Sequence, residues 1–231
     1  MRKSKTGIIL AAAMLAFTTV FSACTNSSSE SYETESNPVI ADSEGGTGNA
    51  ELIAETIGES INTGEYEGKR DEAVQTLLEY YLQYAGEVTA DPERQADILS
   101  EETVVRTEGG EQTVDVYTIE TEDRVIQYTM EIIGEPAENG LYPLYITLHG
   151  GGGTDEETNN GQWMAMTEYY RYSVESGIYV AVRGMEDVWN MHFLDDCYPV
   201  YDRLIEDMII FCNADPDRVY LLGFSAGGDG V

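Results

Sequence analysis

Val219-Tyr220-Leu221-Leu222-Gly223-Phe224-Ser225-Ala226-Gly227-Gly228 is the stretch that decides the fold of this chain. An apolar run of strand-forming residues leads without interruption into Gly-x-Ser-x-Gly, the pattern of a serine carried on a sharp strand-to-helix turn. The flanking Gly223 and Gly227 leave room where a Cβ would strike the neighbouring strand and helix. A serine so placed projects its hydroxyl at the carboxyl end of a sheet, where open α/β sheets bind their ligands. Alone, the five-residue pattern is a weak signal in a glycine-bearing chain.

Upstream, a second glycine run strengthens it. His149-Gly150-Gly151-Gly152-Gly153 follows the short apolar run Leu144 to Leu148, at the end of an earlier expected strand. Successive glycines let backbone N–H groups turn toward a developing negative oxygen, so this loop reads as an oxyanion loop. The matching donor is the N–H of Ala226, the residue after the serine. A phosphate cradle is disfavoured, because it would want a Lys and a Ser or Thr after the glycines. Thr154-Asp155-Glu156-Glu157 stands there instead, and its carboxylates would repel an anion.

Around these motifs the pattern is that of an α/β sheet. Val114, Val116 and Ile119 mark one strand and Val125 to Ile133 another, joined by the polar turn Glu120 to Asp123 as an antiparallel hairpin; strand signals begin near Thr103. From Leu144 onward strands and helices alternate: a helix over about Gln162 to Ser176, a strand over Ile178 to Val182, a helix over Tyr198 to Phe211, then Val219 to Leu222. Such alternation implies parallel strands with crossover helices on both faces of a mostly parallel sheet. An earlier helical pattern between Lys69 and Ala85, with Gly86 just past its end, belongs to an extension over residues 52–102 ahead of the sheet domain at 103–231. The tyrosine pairs 80–81 and 169–170 read as packing, with a sugar-stacking surface as the sharper alternative.

The motif pair HGGGG and GFSAGG, with Asp215-Pro216-Asp217-Arg218-Val219-Tyr220 leading into the second, resembles the α/β-hydrolase esterases related to polyhydroxybutyrate depolymerases and feruloyl esterases. The resemblance spans about Leu144 to Val231. It implies Ser225 as the nucleophile, Ala226 as one oxyanion donor and Gly151 or Gly152 as the other. It implies hydrolysis of carboxylic esters with no metal or organic cofactor. No His, Cys and Glu pattern has the spacing of a zinc site.

The chain departs from that family in its base. In this fold the acid and the histidine follow the serine in chain order, yet six residues follow Ser225 and the two histidines, His149 and His192, both precede it. His149 reads as an anchor of the glycine turn. Trp189 and His192 lie on a candidate substrate loop, with a direct catalytic role for His192 as the alternative. The hydrolase domain is therefore expected to be incomplete at its C-terminus and the 231 residues nearly inactive. Two other functions compete: a serine peptidase of the prolyl-oligopeptidase type, and a non-catalytic surface lipoprotein on a decayed hydrolase scaffold.

The N-terminus has the layout of an export signal, with Arg2, Lys3 and Lys5 before an apolar run from Gly7 to Phe21. Ser22-Ala23-Cys24 resembles the lipobox of bacterial lipoproteins, which implies a signal over 1–23, a lipid on Cys24 and extracytoplasmic placement by that anchor alone; plain secretion is the alternative. Residues 24–51 are Ser-, Glu- and Thr-rich with too few apolar side chains to fold, and read as a tether. The net charge of −31, about −34 without the signal, excludes nucleic-acid binding, which needs a basic surface. The helix between Cys197 and Cys212 sets their α-carbons about 20 Å apart, beyond the reach of a disulfide. The expected partner is an ester-containing substrate, and the sequence leaves the oligomeric state open.

Overall fold

The structure is a computed structural model that describes residues 69–122, 124–194 and 196–231. The signal, Cys24 and the tether lie outside these residues. Two compact units divide the described chain after Ala90. The first contributes one helix, α1 (Arg70–Ala90). It runs through Gly86, where the sequence suggested a stop, and is laced on its surface by Gln75–Glu79 and Gln83–Glu87 hydrogen bonds one turn apart.

The second unit, Asp91–Val231, opens with a short helix α2 (Pro92–Asp97). Asp91 caps it by accepting the Glu93 N–H, and Pro92 occupies the first turn, where no intrahelical donor is needed. Six strands follow: β1 (Glu101–Thr107), β2 (Gly110–Glu120), β3 (Val125–Ile133), β4 (Tyr142–Leu148), β5 (Gly177–Val182) and β6 (Ala214–Gly223). Helix α3 (Glu156–Tyr169) connects β4 to β5, helix α4 (Tyr198–Cys212) connects β5 to β6, and the four-residue α5 (Ala226–Asp229) follows β6. The sheet order is β1-β2-β3-β5-β4-β6.

The sheet is mixed, which corrects the expectation of a mostly parallel one. The β1–β2, β2–β3 and β3–β5 pairs are antiparallel; only β5–β4 and β4–β6 are parallel. Two short turns make the β1–β2 and β2–β3 pairs, and the two helical crossovers make the parallel half. Central β5 is buried at all six positions, as a strand covered on both faces must be.

Side-chain parity shows that α3 and α4 lie on opposite faces. Ala181 packs with Trp163, Met164 and Met166 of α3, and the Tyr179 hydroxyl donates to the Met166 carbonyl. Val182 and its antiparallel partner Tyr128 point the other way, where the Tyr128 hydroxyl donates to the Asp97 carbonyl beside α4. A charged cluster ties α2 to α4 there. Arg94 donates to Asp207 and Glu206, Arg203 donates to Asp97, and Asp97 and Asp207 are both buried. Burial of the Asp207 carboxyl, more than offsetting Arg94, pushes its pKa up.

Cys197 and Cys212 sit buried and unbridged at the two ends of α4, as the helical spacing requires. Strand β6 pairs with β4 alone among the described residues, so it is an edge, and it tolerates Pro216 for that reason. Tyr220 and Leu221 on it are exposed, with Tyr220 stacked on Tyr145.

Candidate active site

Ser225 stands between the end of β6 and the start of α5 with φ 54° and ψ −119°, a conformation that L-residues avoid. Holding it costs about 1–3 kcal/mol, which surrounding packing must supply. Two close approaches supply it. A Cβ on Gly223 would lie 2.2 Å from the Gly227 carbonyl oxygen, and a Cβ on Gly227 would lie 2.2 Å from that of Leu148. The end of β4, the end of β6 and the first turn of α5 thus touch backbone to backbone. The Phe224 N–H donates to the Leu148 carbonyl at 3.1 Å and completes the join.

The glycine loop lies beside the serine. A Cβ on Gly150 would stand 3.2 Å from Ser225 Cβ and 3.0 Å from the Phe224 ring. Gly151, Gly152 and Gly153 have φ of 101°, 61° and 67°, a run that side chains would forbid. Ser225 itself is exposed, and an aromatic rim adjoins it: Phe224 packs against Tyr169, which meets Tyr170 edge-on, and the Tyr170 hydroxyl donates to the Gly223 carbonyl. Tyr169-Tyr170 therefore belongs to the setting of the serine.

His149 is fully buried with both ring nitrogens engaged. Its Nε2 accepts the Gly184 N–H at 2.9 Å, which leaves Nδ1 as the protonated nitrogen, donating to the Gly150 carbonyl at 2.5 Å. Burial holds its pKa down at about 4 despite the Gly150 bond. It anchors the root of the glycine loop and stays neutral.

His192 is also inside, at 1% exposure, packed edge-on against His149 at 4.9 Å and beneath Gly230. The sequence set it on a rim loop; the structure sets it under α5. Its Nε2 faces the His149 carbonyl at 3.2 Å and must donate, so Nδ1 accepts from the Tyr201 hydroxyl at 3.1 Å. Burial, then the neighbouring His149, holds its pKa at about 3. Neither ring nitrogen is left to take a proton from Ser225. Trp189, by contrast, is on the surface: its indole donates to Asp229, and its backbone sits against Gly152, where a Cβ would come within 2.9 Å of Trp189 Cα.

The two candidate loop donors differ. The Gly152 N–H is already spent, donating to Asn159 Oδ1 at 2.9 Å, so the pairing of Gly151 or Gly152 with Ala226 narrows to Gly151. The Gly151 amide is taken by no hydrogen bond among the described residues. That of Ala226, first residue of α5, has no acceptor within its helix. Sequence reading passed over Asn159 because it lies in a polar stretch, Thr158-Asn159-Asn160-Gly161, that obscures helical periodicity. Its Nδ2 donates to Asp187 Oδ1 at 2.9 Å, and Asp187 is paired with Arg183. Burial acts to raise the Asp187 pKa, but the bonds from Arg183 and Asn159 outweigh it and hold the carboxyl below its usual value. Among the described residues no group of His, Cys, Asp and Glu is arranged to hold a metal ion.

No protein-family model matches the chain, and no curated protein matches it. Among solved structures, a thermostable esterase aligns at 20% identity over 57% of this chain and 43% of that chain, with a TM-score of 0.36. The chain thus spans less than half the length of that protein. The fold is α/β, a six-stranded mixed sheet with helices on both faces.

Proposed function

We propose that this chain carries the nucleophile and oxyanion half of a serine hydrolase acting on carboxylic esters, on an α/β-hydrolase scaffold. One observation carries the reading: Ser225 is exposed and held in a strained left-handed backbone between two glycines that only a backbone-on-backbone junction requires, with the glycine loop directly alongside. Strain of this kind persists where function needs it.

In the proposed reaction Ser225 Oγ bonds to the ester carbonyl carbon, and the carbonyl π pair moves to oxygen as an alkoxide. The amides of Gly151 and Ala226 hold that oxygen; a single such donor is worth ~3–4 kcal/mol in comparable enzymes. Collapse of the alkoxide breaks the carbon–oxygen bond to the alcohol, which leaves with the proton given up by the serine. Water then attacks the acyl-serine to give the carboxylic acid and free Ser225. Both histidines are buried and engaged, so the reading requires a histidine other than these two to take the proton of Ser225. Without such a base, catalysis falls to the residual level that binding and an oxyanion hole alone sustain.

A fluorophosphonate bearing a fluorophore, applied to protein in which that histidine is present, tests the assignment, since it reacts with an activated serine. Labelling that maps to Ser225 and vanishes in Ser225→Ala is expected; equal labelling of both proteins would refute it. Comparing p-nitrophenyl esters with peptide anilides separates ester from peptide hydrolysis. The lipid anchor on Cys24 is tested by metabolic labelling with radioactive palmitate, expected to be lost in Cys24→Ala.

A further inference from the structure

The glycine loop is pinned at two points, with one amide between them. At its root, His149 Nδ1–H donates to the Gly150 carbonyl while Nε2 accepts from Gly184. Beyond, the Gly152 N–H donates to Asn159 Oδ1. Gly151 lies between these anchors and packs so tightly on Asn159 that a Cβ there would come within 2.5 Å of Oδ1.

Which end of the Asn159 amide meets the loop is fixed by chemistry. A backbone N–H only donates and an ionised carboxylate only accepts, so Oδ1 must face Gly152 and Nδ2 must face Asp187. Turning the amide over would set donor against donor at Gly152 and oxygen against oxygen at Asp187. Asp187 is in turn held by Arg183, whose Nε donates to Asn160 Oδ1 at 2.8 Å, and Asn160 Nδ2 donates to the Arg106 carbonyl of β1 at 3.0 Å. Fully buried Asn159 is thus the last member of a polar chain that starts on the strand at the far edge of the sheet. Asn159 and Arg183 are buried while Asp187 reaches the surface, and a hydrogen-bonded chain anchored on buried members rigidifies what it touches.

We infer that Asn159 is a positioning residue for acyl transfer: by taking the Gly152 amide it leaves Gly151 as the loop's oxyanion donor, and the Arg183–Asp187 pair sets the orientation in which Asn159 does so. This rests on the serine-hydrolase reading. Oxyanion donors act through preorganisation, so loosening the loop weakens stabilisation of the developing charge more than it weakens ground-state binding.

The test uses protein in which the histidine that activates Ser225 is present, a fluorophosphonate probe at varied concentration, and the variants Asn159→Ala and Asp187→Asn. Asn159→Ala is expected to lower the limiting rate of Ser225 modification by about 10-fold or more, with the half-saturating probe concentration unchanged. The Gly152 amide is expected to lose its protection from hydrogen exchange, measured by NMR. Asp187→Asn removes the charge that sets the Asn159 orientation and is expected to give a smaller loss of both. Should Asn159→Ala fold poorly, Asp187→Asn with the Gly152 exchange measurement decides. Wild-type protein labelled at Ser225 with both variants labelled at the same limiting rate would overturn the role of Asn159 and leave the hydrolase reading standing. A wild type labelled no faster than Ser225→Ala would overturn both.

Discussion

Acidification should unfold this protein partly through two histidines, and the effect can be worked out for His192. Its pKa is about 3 in the fold, against 6.5 when free. Well above pH 6.5 the ring is neutral in both states and nothing is lost. As pH falls toward 3, the unfolded chain binds a proton at this position and the folded chain does not, so stability falls. Between pH 6.5 and 4.5 the difference amounts to about 2 kcal/mol for His192, and a similar amount for His149 with its pKa of about 4. The many carboxylates also titrate in this range, so the informative quantity is a difference between proteins. His192→Gln can still donate to the His149 carbonyl and accept from Tyr201, but it cannot titrate. Urea unfolding followed by far-UV circular dichroism at both pH values should show the wild type losing about 2 kcal/mol more than the variant on acidification. Equal losses would mean that His192 titrates near its free value and faces water. It would then be available as a base for Ser225, and the buried, fully engaged ring would be refuted.

Gly227→Ala sets a Cβ 2.2 Å from a backbone carbonyl oxygen that cannot move aside cheaply, so a loss of at least about 3 kcal/mol is expected, read as a fall in melting temperature and soluble yield. Arg94→Met leaves Asp207 buried without its cation and should cost about 3–5 kcal/mol, whereas Arg94→Met combined with Asp207→Leu should recover much of it; thermal melts of the single and double variants check this. Asp215→Ala removes the carboxylate that accepts from Arg218 Nε at 2.7 Å and from the Asp217 N–H at 3.0 Å, and should lower stability by about 1–3 kcal/mol in urea titrations.

Much of the fold was legible because glycine and apolar runs leave unambiguous marks. The hairpin of β2 and β3, the strands over Leu144–Leu148 and Ile178–Val182 and the helix over Tyr198–Phe211 follow from period and punctuation, whereas β6 begins at Ala214, five residues before the apolar run at Val219 that marks it. Helix α3 was read six residues late and carried seven residues too far. Its real start is the Asp155 cap, whose side chain accepts the Thr158 N–H, and its first two turns are polar. Those polar residues are the ones that hold the loop: Asn159 takes Gly152, and Asn160 bridges Arg106 and Arg183. A residue chosen to brace a site does not follow the apolar stripe, so the pattern failed where the site began. The burial of His192 was illegible for another reason. It packs on His149, 43 residues upstream, and meets Tyr201 on the following helix, and no local rule links the three.

The junction of Leu148, Gly223 and Gly227 also bears on how such a protein can be reshaped. Three main-chain segments meet there with no side chain between them, so variation has nothing to act on without disrupting the hydroxyl's placement. The side chains of Phe224, Tyr169 and Trp189 are exposed and free of that constraint. Under the hydrolase proposal, mutant libraries seeking altered selectivity belong at those three positions, and libraries that randomise the glycines should return almost nothing that folds.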